Sequence, residues 1–84
     1  MAHSKLADDA ILAAFRRSVV AVVPEIAAAK VTLDRTLAEL GCNSIDRADI
    51  VTMTMAELGI IVPVPEFGRD RTMGSLVALL RKYA

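Results

Sequence analysis

The stretch LGCNSIDRADI, from Leu40 to Ile50, gathers the few side chains of this sequence that could do chemistry: Cys42, Asn43, Ser44, Asp46 and Asp49. As a nucleophile in its own right, Ser44 is poorly equipped. A hydrolytic serine needs a base within hydrogen-bond reach, and the only histidine is His3, at the far N-terminal end. The strained G-x-S-x-G elbow would need glycine at positions 42 and 46, which hold Cys42 and Asp46. One cysteine and one histidine cannot assemble a metal centre. Asp46 and Asp49, three apart, read as a solvated helix face rather than an acid–base pair. No catalytic residue and no metal ligand are therefore expected. As an acceptor, Ser44 is better placed. In the first turn of a helix it would sit among unpaired backbone N–H groups at the positive end of the dipole, an environment that favours an attached phosphate. Such a hydroxyl needs no base of its own if another enzyme brings the base and a metal ion. On local grounds alone, a serine that merely opens a helix is the commoner case.

The elements that would hold this turn follow from hydrophobic spacing. Ile11, Leu12, Phe15, Val19 and Val22 recur at helical period and predict a first helix from Ser4 or Leu6 to about Val22. Ser4 is its candidate cap, Asp8 and Asp9 suit its positive end, and Pro24 stops it. Residues 25–42 form a long connection, pinned by Ile26, Val31, Leu33, Leu37 and Leu40, with a helical turn at Leu37–Leu40 ended by Gly41. The second helix is expected over Ser44–Leu58. Asn43 would be its N-cap, Asp46 would answer in the manner of a capping box, and Gly59 would stop it. Its apolar residues cover well over half the circumference, so it is covered on two sides, partly exposed for docking, or both. In IIVPVPEF, Pro63 and Pro65 allow at most one helical turn near Pro65–Gly68. A last helix follows Thr72 as cap and runs to about Lys82. Met73, Leu76, Val77 and Leu80 face inward, with Tyr83 at the end. The fold class is all-α: a small bundle of three main helices plus a short helix or turn before the last, with a long first loop.

Composition agrees. A single domain of 84 residues buries only about 60% of its unfolded surface and needs an efficient core. Apolar residues make up 55% and aromatics 4%, so that core must be aliphatic. Residues 1–5 read as a disordered tail or tag remnant. The lone cysteine and the absence of a signal pattern or a long apolar run point to a cytoplasmic protein. Net charge is zero but uneven: between Glu39 and Glu66 five acids face one base, Arg47. Basic residues are scattered rather than gathered on one face, which argues against nucleic acid. The acidic middle suggests partners with basic surfaces.

Taken together, LGCNSIDRADIV, a helix, IIVPVPEF and then TMGSLVALL resemble the acyl carrier protein family. That family's usual core is an Asp-Ser-Leu triplet preceded by Leu-Gly. An acidic second helix follows, then an I-x-(I/V)-P segment and a last helix opening on Thr-Val or Thr-Met. The resemblance covers nearly the whole chain. It implies that Ser44 carries a 4′-phosphopantetheine arm, added from coenzyme A by a phosphopantetheinyl transferase using magnesium, and that the arm's thiol holds acyl thioesters. Cys42 is then a small apolar filler. The sequence also departs from the pattern. Asn43 replaces the usual aspartate, Arg47 puts a positive charge on the second helix, and Thr52, Met55 and Ala56 stand where many fatty-acid carriers have bulkier apolar or acidic residues. NSIDRADIVTMTM looks most like the discrete carriers of bacterial polyketide β-branching cassettes. Such a carrier would deliver acetyl, formed from malonyl by decarboxylation, to an enzyme like 3-hydroxy-3-methylglutaryl (HMG) synthase. The resemblance also implies acyltransferase and ketosynthase-like partners and a monomer without a membrane role. Docking is expected on Ile45, Asp46, Arg47, Ala48, Asp49, Thr52, Met55 and Glu57. A fatty-acid or aminoacyl carrier, or an unmodified helical interaction module, are the alternatives.

Overall fold

The computed structural model describes residues 7–63 and 71–83, so the predicted cap Ser4, the tail with His3 and the predicted turn at Pro65–Gly68 lie outside the described residues. Helix α1 spans Asp8–Val22, later than the apolar spacing alone predicts, with Ala7 extended in the cap position and making no side-chain cap. The physical reason is the pair Asp8 and Asp9. Aspartate is a weak interior helix former but is stabilised by the positive end, so the helix begins at the acids. One face of α1 buries Ile11, Ala14, Phe15, Ser18 and Val19.

The connection from α1 is better structured than its sequence suggests. It opens with an unpredicted 3₁₀ turn at Ala28–Lys30. Half-buried Arg16 ties this turn to α1 by donating from Nε to the Val31 carbonyl at 3.0 Å. Farther on, Thr36 and Glu39 cap each other: the Thr36 amide donates to Glu39 Oε1 at 2.8 Å and the Glu39 amide to Thr36 Oγ1 at 3.0 Å. This is the reciprocal T-x-x-E arrangement that starts a helical turn. Here the turn closes at once on Gly41, whose φ of 103° is open to glycine at little cost. Ile26, Val31 and Leu37 are buried as expected and Leu40 is half-buried. Leu33 is not: its side chain is 51% exposed. Its backbone holds the strap down instead, since the Leu33 carbonyl accepts from the Gly74 amide at 2.9 Å.

Helix α2 runs Ser44–Leu58, as predicted. Asn43 Oδ1 accepts from the Asp46 amide at 2.8 Å, and Asp46 Oδ2 accepts from the Asn43 amide at 3.2 Å, completing the capping box. Gly59, left-handed at φ 68°, ends the helix, and the Ile60 amide returns to the Met55 carbonyl at 3.0 Å. Helix α3 spans Met73–Tyr83. Its first three amides are all satisfied: Met73 by the Arg35 carbonyl at 2.8 Å, Gly74 by Leu33, and Ser75 by Thr72 Oγ1 at 3.1 Å. Thr36 and Thr72 form an isolated antiparallel bridge, so the first connection doubles as the cap of α3. Met73, Leu76, Val77 and Leu80 are buried as predicted, with Leu79 added.

The centre of the bundle is α1, which packs against both α2 and α3, while α2 and α3 meet little. Arg81, in the last turn of α3, grips both carboxylate oxygens of Asp8 at 2.9 and 3.0 Å. Among the described residues, no helix is long and apolar enough to cross a membrane.

Candidate functional site at the opening turn of α2

The site is the first turn of α2. Its position is fixed from both sides: Cys42, 5% exposed, anchors the approach in the core, and the Asn43–Asp46 box fixes the helix start. Ser44 is exposed. The box consumes the amide of Asp46, while those of Ser44 and Ile45 find no partner among the described residues. An exposed hydroxyl therefore stands beside two free N–H donors at the positive end of a 15-residue helix. The carboxylate in the same turn, that of Asp46, is half-buried and engaged in the cap. A phosphodiester on Ser44 Oγ fits this turn: donors are available and no free acid crowds it.

Other chemistries find less. The Cys42 thiol is pushed up by burial and by the negative charge of Asp46, with Arg47 opposing, so it rests as a neutral filler rather than a reactive thiolate. Among the described residues, no group of acidic, histidine or cysteine side chains could hold a metal ion.

The residues expected to dock partners separate into three groups. Ile45 (71% exposed), Ala48, Asp49 and Thr52 lie on the open face of α2. Asp46, Arg47 and Met55 are half-buried, and Met55 packs against the core, so it offers only part of its side chain. Glu57 is exposed but tied to Arg17 of α1, whose Nε donates to Glu57 Oε2 at 2.9 Å. That pairing holds the Glu57 carboxyl below the usual carboxylate range. The sequence reading missed Met53, 43% exposed on the same outward side. The missing signal was which stripe faces α1: once Ile50 and Thr54 are known to be the buried pair, the heptad geometry puts Ile45, Asp49, Thr52 and Ala56 opposite.

The chain matches the phosphopantetheine attachment site family over residues 17–80, from the middle of α1 almost to the end of α3. The protein belongs to this family. It is an acyl carrier, which holds a covalent 4′-phosphopantetheine and is not itself a catalyst. It is 34% identical over 59 residues to the polyketide biosynthesis acyl-carrier-protein AcpK of Bacillus subtilis (strain 168), covering 70% of this chain and 72% of that one. Its fold is similar, at a TM-score of 0.80 and 23% identity, to a chain in the crystal structure of the curacin biosynthetic pathway HMG synthase in complex with acetyl donor-ACP. That match covers 92% of this chain and 99% of the other.

Proposed function

We propose that Ser44 is the attachment point of the arm and that this carrier serves a bacterial polyketide assembly line in the cytoplasm. There it donates acetyl to an HMG-synthase-like enzyme during β-branching. The observation that carries the reading is the exposed Ser44 hydroxyl on a turn whose amides are free and whose own cap needs nothing from it. Similarity to a carrier of polyketide biosynthesis and to the fold of an acetyl donor carrier supports the pathway assignment.

In loading, Ser44 Oγ would attack the pyrophosphate of coenzyme A. A new P–O bond forms, the bond to the nucleotide bisphosphate breaks, and the serine proton passes to a base of the phosphopantetheinyl transferase. Once attached, the arm supplies a thiol that holds acyl groups as thioesters. The chain's own residues position that tether. The capping box fixes the direction in which Ser44 points, and the free amides of Ser44 and Ile45 face the anion. Tethering raises the effective concentration of the cargo without new contacts. Ile45, Ala48, Asp49 and Thr52 give a small docking face around a single acid. Such a face suits brief contacts with a transferase, an acyltransferase, ketosynthase-like enzymes and the synthase in turn.

The test is intact mass. With coenzyme A and a promiscuous transferase, the wild type should gain one arm, mapped to the Ser44 peptide, while Ser44→Ala keeps its fold and gains nothing. Modification of the Ala variant, or of any other residue, would overturn the assignment.

A further inference from the structure

Among the described residues, two arginines have no side-chain partner: Arg35, which is exposed, and Arg47, which is half-buried beside the site. Arg16, Arg17, Arg71 and Arg81 all have hydrogen-bond partners, respectively Val31, Glu57, Ser75 and Asp8. Arg47 is half-buried yet makes no side-chain hydrogen bond or ion pair among the described residues. A half-buried guanidinium has lost part of its water, so a partner for it is worth more than at an open surface.

Its place on α2 narrows what that partner can be. Arg47, Ile50 and Thr54 follow one another at helical spacing, and Ile50 and Thr54 are the two fully buried residues of the helix. Arg47 therefore heads the core-facing stripe rather than the open docking face. It is also three residues after Ser44, the spacing at which side chains are neighbours on a helix surface. Long side chains on a helix lean back toward its N-terminus, so a guanidinium at position 47 covers the turn that holds Ser44. Its charge is felt as far upstream as Cys42, two residues before the helix begins. The usual competitors are absent, since position 43 is the neutral Asn43 and Asp46 is engaged in the box.

We infer that Arg47 is a positioning residue for the arm, pairing with the phosphodiester attached at Ser44 from the side opposite the free amides of the turn. The inference rests on Ser44 being the attachment point. Arginine suits this part because its planar fork can meet two phosphate oxygens at once. Held between guanidinium and amides, the start of the arm would be confined to fewer directions than a tether on a bare serine.

A cycle of modification against substitution isolates this interaction from any effect on folding. Wild type, Arg47→Gln and Arg47→Lys are each prepared with and without the arm, and mass confirms one arm on Ser44. If wild type takes no arm at Ser44, the attachment reading fails before Arg47 is in question. Thermal unfolding at low salt should show the arm raising the wild-type Tm by roughly 4 °C, the scale of a single charge-assisted bond in a domain this small. Arg47→Gln should keep less than half of that rise, and Arg47→Lys should recover part. The ³¹P resonance of the arm should differ between wild type and Arg47→Gln at low salt and converge at high salt. Equal rises in wild type and Arg47→Gln, with coincident ³¹P resonances, would overturn the inference. A loss of Tm in Arg47→Gln of the same size with and without the arm would make Arg47 a structural residue and overturn it equally.

Discussion

Replacing Thr54 by valine probes a polar contact buried between α1 and α2. Thr54 is fully buried and Ser18 is 2% exposed. Thr54 Oγ1 lies 2.7 Å from the Ile50 carbonyl and 2.9 Å from Ser18 Oγ. One hydroxyl proton cannot serve both. With Thr54 donating to the Ile50 carbonyl one turn back, the Ser18 hydroxyl supplies the proton between the two side chains. Thr54→Val keeps the volume and the branched shape but strands the Ser18 hydroxyl in an apolar seam. A buried hydroxyl left without its partner costs about 1–3 kcal/mol, so a loss of about 2 kcal/mol is expected. In a domain of this size that lowers Tm by roughly 8–16 °C. Ser18→Ala should cost less, because Thr54 still has the Ile50 carbonyl. The double variant should come within about 0.5 kcal/mol of wild type, both polar groups having gone together. Urea unfolding of the four proteins supplies the cycle. Loading at Ser44 should be unchanged in all of them, since position 54 is ten residues, or about 15 Å, along the helix from the site. A neutral Thr54→Val, or a double variant as weak as the sum of the singles, would refute the reasoning.

Gly74→Ala should fail to deliver the gain of about 1 kcal/mol that alanine usually brings to a helix, because its Cβ would stand 3.2 Å from the Leu33 carbonyl oxygen. A clear rise in Tm would show that the strap over α3 yields freely. For pH, Glu57 is held low by Arg17 and Asp34 by the Thr32 hydroxyl. A carboxyl lowered in the folded state contributes stability above its unfolded pKa and loses it as pH falls through the folded value. Urea midpoints should therefore drop on the acid side of the carboxylate range. Glu57→Gln should flatten that drop in low salt but not in molar salt, and superimposable low-salt curves would remove the pair from the account.

How much of this could be read from the sequence depended on where each end's chemistry lies. Both ends of α2 were legible because residue types mark them: the side chains of Asn43 and Asp46 close the start, and Gly59 takes the left-handed backbone that ends the helix. The start of α1 was not, because Ala7 offers no side-chain cap and the only signal was the acids Asp8 and Asp9. The first connection misled in the other direction. Leu33 looked like a core residue, but its carbonyl rather than its side chain is what the fold uses. Backbone bonds between distant segments, such as Met73 to Arg35, leave no mark in residue types. The helix start at Ser44 was legible because its cap is local, whereas the acceptor role proposed for that serine came from the order of segments along the whole chain and not from the turn alone. The division of α2 into exposed and buried faces was not legible, because it turns on the position of α1.

That division also explains the excess of apolar residues on α2. Two explanations were open: a central helix walled on both sides, or a helix with an exposed apolar face. The central position belongs to α1, and α2 is held mainly through Ile50 and Thr54. With both ends self-capped and Arg17–Glu57 tying its far end to α1, α2 needs no second wall to stay in place. Ile45, Ala48, Met53 and Ala56 are thus free of structural duty on their outer sides. Apolar side chains left open on a small monomer invite aggregation unless the patch stays small or meets partners. Here Asp49 sits among them, and the patch begins one residue after Ser44, the proposed attachment point. If Ser44 carries the arm as proposed, a partner reaching for it would cover the exposed Ile45 side chain as well, so burial of that side chain and delivery of the arm would become the same event.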